Sequence, residues 1–503
     1  MRNGTALASG SGCHRQPGSA GGKPRFSSET SFPAVLLLIA TLVLGGCAKV
    51  PLFKKPDAEL PAAWKDAPAQ GQVATGERWW SIYGDAALDR LIDEGLANNP
   101  DLAIAAERIE EARAQLRITD AELLPAVDAR LQGDRSRSSE RSSFPLPPGV
   151  PLERSNYRGA FNVSYELDLF GRLRGASQAA RADLLATAAA RHTVRNSLVN
   201  QIVQSYYSLL ALDRQIAVTE RTIDVRTRDI GLQRKRLEAG LISDFALRQL
   251  EADVSIVRAQ LPVLQQRRTA EEIALARLVG RTPRAIVEDP IAMTADGGQQ
   301  PAVVVPEGLP SDLLLRRPDI VEAEQRLAAA NARVAVARAS LFPRIALTGF
   351  LGSESGQLGD LFSGPALIWQ LAFGLTQPIF QGGRLRGEID VVQARERQAL
   401  ANYQKTLQTA FGEVREALSA QTRTRESYAA ENERVNALAE TLRLARIRFE
   451  NGLSSQLDVL DAERNLLQAE LSRIDALRAN RAAVSNIVRA LGGGWTGLGP
   501  QAP

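Results

Sequence analysis

Along most of this chain apolar residues recur every three or four positions, but in four short stretches they recur every second. Val127, Ala129 and Leu131 alternate with Asp128, Arg130 and Gln132. Phe161, Val163, Tyr165, Leu167 and Leu169 alternate with Asn162, Ser164, Glu166 and Asp168. Ile345 and Leu347 lead a third stretch, and Trp369, Leu371, Phe373 and Leu375 alternate with Gln370, Ala372, Gly374 and Thr376. A period of two lays one residue type on each face of a strand. The pattern predicts two hairpins, with strands at about 126–133, 158–169, 344–352 and 366–377. The polar run from Asp134 to Asn156 reads as the loop of the first hairpin. Segments of about ten residues, apolar on one face, are the pattern of outer-membrane barrel strands. A half-buried sheet of a soluble protein fits any one of them equally well.

The three-four spacing is longest behind each hairpin. Leu198, Ile202, Leu209, Leu212 and Ile216 form one apolar seam, and Val435, Leu438, Leu442, Ala445 and Phe449 form another, both of coiled-coil type. The punctuation around these seams is duplicated. Pro100 to Pro125 and Pro318 to Pro343 are each 25 positions. Arg172 to Gly240 and Arg384 to Gly452 are each 68, and Gly240 to Gly280 and Gly452 to Gly492 are each 40. Only the interval between the blocks differs, 47 positions from Pro125 to Arg172 against 41 from Pro343 to Arg384. One unit has been copied, and its length was kept where helices must run side by side. Each long helix would rise about 100 Å at ~1.5 Å per residue. That is a length for reaching across something, far beyond what a globular core needs.

The predicted organisation is a signal segment at 1–46, a tether and equatorial segment at 47–98, and a first repeat at 99–280 with its hairpin tip at 240–243. A linker with little regular structure follows at 281–316, then a second repeat at 317–492 with its tip at 452–455, and a tail at 493–503. Four strands cannot close a barrel, and open sheet edges are not tolerated in lipid. Membrane strands here would need several copies of the chain, and a trimer would give about twelve. The fold class expected is therefore mainly α with transmembrane β.

Composition agrees with long helices, at 44% apolar and 5% aromatic residues. The net charge of +4 does not point to nucleic acid. Residues 1–46 hold Arg2, Arg15, Lys23 and Arg25 against Glu29, a net +3, which leaves +1 for the rest. Arg and Glu then interleave along helix faces in a solvated pattern, with no basic stripe carrying aromatics. Ala34 to Leu44 is an 11-residue apolar run after a basic stretch, too short to span a bilayer and fit for a signal-peptide core. It ends Leu44-Gly45-Gly46-Cys47, which resembles a bacterial lipobox and predicts lipidation of Cys47. An ordinary signal with an incidental cysteine is the alternative. No phosphate loop, cysteine pair or helical two-His motif occurs, so no cofactor, metal or catalytic set is expected. His192 reads as an exposed helix residue, and Gly352, Gly356 and Gly359 as part of an external loop.

Several short motifs occur in order: Trp79-Trp80, Gly84-Asp85, Asn99-Pro100-Asp101-Leu102, Asp168-Leu169-Phe170-Gly171-Arg172, Arg316-Arg317-Pro318-Asp319-Ile320, Gly382-Gly383-Arg384-Leu385, Asp458-Val459-Leu460-Asp461-Ala462 and Leu491-Gly492-Gly493-Gly494-Trp495. Together they resemble the TolC/OprM family of outer-membrane efflux channels, specifically its lipoprotein branch. The resemblance covers nearly all of Cys47 to Trp495. It implies a homotrimer with a twelve-stranded barrel, continued by a helical tunnel through the periplasm. It also implies two partners, a periplasmic adaptor and an inner-membrane pump of the RND type, with outer-membrane lipid around the barrel.

Two sites follow. Glycine permits the positive φ of a tight reversal, so Gly240-Leu241-Ile242-Ser243 and Gly452-Leu453-Ser454-Ser455 each present an apolar residue at a turn. A plain helix cap explains these turns equally well from the residues alone; the resemblance makes them adaptor-docking tips. Asp458 and Asp461 are three apart on one helix face, and three copies would ring the narrow end with carboxylates whose crowding raises their pKa values. Two solvated helix acids are the plain alternative. The resemblance places Arg448, Phe449 and Leu457 with them as gate lining. The first repeat has Ala246 and Gln249 at the matching offsets, so only one hairpin per subunit would carry the charged gate. Arg130, Asn162, Glu166, Asp168 and Gln370 are expected to set lumen polarity. The competing readings are a protein-secretion channel of the same shape, a periplasmic adaptor lipoprotein, which would have one hairpin rather than two, and an enzyme on a helical scaffold.

Overall fold

The computed structural model describes residue 76 and residues 78–143, 146–293, 315 and 317–494. The signal segment, Cys47, most of the tether, much of the linker and the end of the tail lie outside the described residues. Glycine, proline and short polar side chains set the element boundaries. Asp85 caps helix α1 (Ala86–Asn98) by accepting from the Ala87 and Leu88 amides. Asn99 caps α2 (Pro100–Ala121) in the same way, with Pro100 in the first turn. Strands β1 (Ala126–Arg137) and β2 (Glu153–Leu167) follow. Helix α3 (Arg172–Glu238) runs 67 residues without a break, and α4 (Asp244–Leu278) returns over 35. A short helix, α5 (Pro283–Glu288), interrupts the expected linker. The second copy is α6 (Pro318–Ala339), β3 (Arg344–Ser355), β4 (Leu367–Thr376), α7 (Arg384–Glu450) and α8 (Gln456–Ala490). The long helices of the two copies are again 67 and 35 residues.

The four strands form one antiparallel sheet in the order β1-β2-β3-β4. The pairing of β2 with β3 joins the two repeats across the whole length of the first helical hairpin. Below the sheet α3 packs on α2, α4, α6 and α8, so both repeats share one helical wall. The main core is at the waist, where Trp80, Tyr83, Leu88, Ile92, Ile202, Tyr206, Leu275 and Ile487 are almost wholly buried. Polar bonds thread it. Tyr83 donates to the Arg481 carbonyl at 2.8 Å, and Tyr206 donates to Asp85 at 2.6 Å. Asn99 donates to the Leu278 carbonyl at 2.8 Å and Asn196 to the Gly492 carbonyl at 2.7 Å. The Trp-Trp, Gly-Asp, Asn-Pro-Asp and Leu-Gly-Gly motifs are thus caps and seams of the waist.

Three expectations need correction. The loop between β1 and β2 is shorter than Asp134 to Asn156, because β1 continues to Arg137 and β2 begins at Glu153. Gly352 is not in a loop; it lies inside β3, where a Cβ would meet the Gly159 carbonyl at 2.2 Å. His192 is half-buried, and burial together with Arg191 and Arg195 pushes its pKa down to about 4.

Candidate functional site

The strand register sorts every side chain onto one of two faces. Residues paired directly across an antiparallel sheet point the same way. Leu131, Phe161, Leu351 and Trp369 therefore share a face with Val127, Val163, Leu371 and Phe373. This apolar face is bare, with Leu131 86% and Trp369 72% exposed. The other face carries Arg130, Asn162, Glu166 and Gln370, the residues expected to set lumen polarity. Asn162 donates there to Asp128 at 3.0 Å. Asp168 lies beyond β2, and with Glu166 it has a different task. Arg172 makes two parallel bonds to Glu166, at 3.0 and 2.9 Å, and Asp168 accepts from the Arg174 amide at 2.9 Å. These acids fasten the first strand hairpin to the start of α3. The second copy has Pro378 and Phe380 at the matching places.

The two hairpin tips share one backbone. Gly240 has φ 72° and Gly452 φ 70°. The Leu241 amide donates to the Arg236 carbonyl and the Leu453 amide to the Arg448 carbonyl, both at 2.8 Å, which closes each α-helix end. Ser243 and Ser455 then cap the return helices. Leu241 is 71% exposed and Leu453 69%. One turn on, Phe245 and Leu457 occupy matching positions and are 76% and 51% exposed. Phe245 was not singled out by the sequence; its match with Leu457, 212 positions later, was the available signal. Each tip thus presents two apolar side chains to solvent, one turn apart. Ile242 and Ser454 are half-buried under the turns.

Charge separates the tips. Asp458 completes a capping box, accepting from the Ser455 amide at 2.8 Å and its hydroxyl at 2.9 Å. The amide bond first, then the hydroxyl, hold the Asp458 carboxyl below the usual carboxylate range. In a single chain this is the reverse of the rise expected from crowding. Asp461 is exposed one turn further along. Arg448 crosses the turn to the Leu453 carbonyl at 3.4 Å. Phe449 packs against the small cluster of Leu442, Val459 and Ala462, on the hairpin's own seam.

About midway between waist and tips, a buried ion cluster ties the hairpins together. Arg226 on α3 and Asp253 on α4 are in contact, with side chains 6% and 2% exposed. Arg464 on α8 reaches Asp253 at 2.5 Å, and Arg446 on α7 reaches Glu463 at 2.7 Å. The interleaved Arg and Glu pattern read as wholly solvated is therefore not so here. Among the described residues, no group of three His, Cys, Asp or Glu side chains is placed to hold a metal ion. No described helix is long and apolar enough to cross a membrane.

A profile of the outer membrane efflux protein family matches residues 91–281 and 309–493. The probable efflux pump outer membrane protein TtgC of Pseudomonas putida is 36% identical over 466 residues, covering 91% of this chain and 95% of that one. Outer membrane protein OprJ of Pseudomonas aeruginosa is 37% identical over 474 residues, with coverage of 93% and 97%. The crystal structure of the Campylobacter jejuni CmeC outer membrane channel superposes with a TM-score of 0.85 at 26% identity, over 89% of this chain and 95% of that one.

Proposed function

We propose, from the premise that this chain belongs to the outer membrane efflux protein family, how its parts divide the work of a channel. The chain is an outer-membrane component of an efflux system. Three copies join β4 of one chain to β1 of the next, and three times four strands close a twelve-stranded barrel. The bare apolar face meets lipid, and the Arg130, Asn162 and Gln370 face lines a wide aqueous bore that selects weakly. Cys47, lipidated, adds a second anchor. The long hairpins continue the bore as a helical duct through the periplasm.

At its far end, Leu241 with Phe245 and Leu453 with Leu457 dock on a periplasmic adaptor that connects to an inner-membrane pump of the RND type. Asp458 and Asp461, from one hairpin per chain, form a carboxylate ring that restricts the entrance. The chain itself carries no reaction; small drug-like or toxic molecules pass through it, driven by the pump. The observation that carries this reading is the combination of a two-edged sheet, bare on one face, with two 67-residue helices about 100 Å long, each paired over part of its length with a 35-residue return helix.

Its test is the double variant Leu241→Asp with Leu453→Asp, placed in cells whose drug resistance depends on this channel. Resistance should fall to the level of a deletion strain while trimers remain in the outer membrane. Full resistance in cells with normal trimer levels would rule out docking through the tips.

A further inference from the structure

The duplication allows each half of the waist to be read against the other, and one position is filled in only one half. In the second repeat the Arg317 side chain is 6% exposed and lies along the helices. It donates to Asp319 at 2.7 and 3.1 Å, to Glu413 at 2.7 Å and to the Ala490 carbonyl at 2.8 Å. Arg489 faces Glu413 at 3.8 Å.

The matching residues of the first repeat follow from the spacing. Arg317 and Asp319 correspond to Asn99 and Asp101, 218 positions earlier. Glu413, Arg489 and Ala490 correspond to Gln201, Arg277 and Leu278, 212 positions earlier. All five matching residues line one solvent-open cleft of about 580 Å³. Asn99 is too short to fill it. Its amide is spent on the Leu278 carbonyl and on capping α2. The cleft is also more polar than its counterpart. Ser205, Ser208 and Glu271 line it where the second repeat has Ala417, Ala420 and Ala483. Ser205 donates to one Glu271 oxygen at 2.6 Å, which orients the carboxylate.

We infer that this cleft is a binding site for a small guanidinium-bearing solute. The ligand's guanidinium takes the place that the Arg317 head group has in the other half. Asp101 and Glu271 supply two negative charges against the one positive charge of Arg277 in the lining, and Gln201 and the Ser208 hydroxyl supply acceptors. Planar guanidinium matches paired carboxylates more closely than a spherical cation does. The position at the waist, where α2, α3 and α4 meet, makes the solute a brace between the strand-bearing and hairpin-bearing parts of the first repeat.

The test is thermal melting of the detergent-solubilised full-length protein with agmatine as the probe and sodium chloride of equal ionic strength as the control. Agmatine should raise the wild-type melting temperature in a dose-dependent way. Asn99→Arg, which supplies the missing guanidinium from the chain itself, should abolish that response. Glu271→Gln keeps the Ser205 bond but removes the charge, and should weaken the apparent affinity about tenfold. No agmatine response in the wild type overturns the inference, as does an undiminished response in Asn99→Arg. Should Asn99→Arg fail to assemble, an unchanged affinity in Glu271→Gln is equally decisive.

Discussion

The two helical hairpins have the same backbone and different chemistry. Both run 67 residues out and 35 back, and both turn on a left-handed glycine with the same 2.8 Å closing bond. Yet the first hairpin buries Arg226 against Asp253, where the second has Leu438 and Asn465. The second exposes Asp458 and Asp461 near its tip, where the first has Ala246 and Gln249. Length and turn geometry had to stay equal for the helices to remain in register after duplication. Side-chain charge was free to diverge. A duplicated scaffold can thus bury an ion pair in one hairpin and expose carboxylates near the tip of the other.

That contrast breaks most severely at Asp253. Asp253→Ala leaves Arg226 buried with Glu463 as its remaining partner at 3.5 Å. Removing one member of a buried ion cluster costs about 3–5 kcal/mol. The variant should show a clear fall in melting temperature by circular dichroism and early tryptic cleavage of the hairpins. Replacing Arg226 and Asp253 together with Leu and Asn, the residues of the second hairpin, should recover most of the loss. Melting of the single variant at the wild-type temperature would show that the clamp adds nothing.

The charged mouth is tested by Asp458→Ala with Asp461→Ala in planar bilayers. Single-channel conductance should rise and block by divalent cations should weaken. Because the Ser455 amide and hydroxyl hold the Asp458 carboxyl low, wild-type block should persist as pH falls to about 4, near the ordinary aspartate value. Placing the charges on the first hairpin instead, with Ala246→Asp and Gln249→Asp, should raise cation block if the two tips face the same bore. Wild-type conductance in the double alanine variant would remove the gate.

The smallest effect is expected at His192, whose counterpart in the second repeat is Gln404. Its pKa of about 4 in the fold is below the unfolded value of about 6.5. The unfolded chain therefore takes up the proton first, so this residue's share of stability is complete above pH ~6.5 and declines as pH falls toward ~4. His192→Gln should flatten the pH dependence of melting across that window without changing it at neutral pH. Equal slopes in the two proteins would show that His192 is not part of the acid response.

Much of this architecture is legible in the sequence because its signals are local and repeated. Glycine and proline spacing sets the helix lengths, and period-two alternation marks all four strands. The strand ends were missed because Arg135, Arg137 and Glu153 continue the β geometry without any apolar side chain to mark it. Closely spaced glycines suggest a loop at Gly352, whereas the close approach of β2 is what requires a glycine there. The waist bonds could not be foreseen. Tyr83 and Arg481 are 398 positions apart, and no local pattern announces such a pair. Glu166 and Asp168 were recognised as polar strand residues, but their Arg172 and Arg174 partners fix them at a joint. Nothing in a charged heptad distinguishes Asp253, which is buried, from the many acids around it that are not.

The outer strands β1 and β4 have a further consequence for biogenesis. Among the described residues, each leaves one edge without a neighbouring strand inside its own subunit. Hydrocarbon does not admit such edges, and in water they invite pairing with whatever strand is nearest. A lone polypeptide therefore has no stable home on either side of the bilayer surface. For the trimer proposed above, membrane insertion and assembly are therefore coupled.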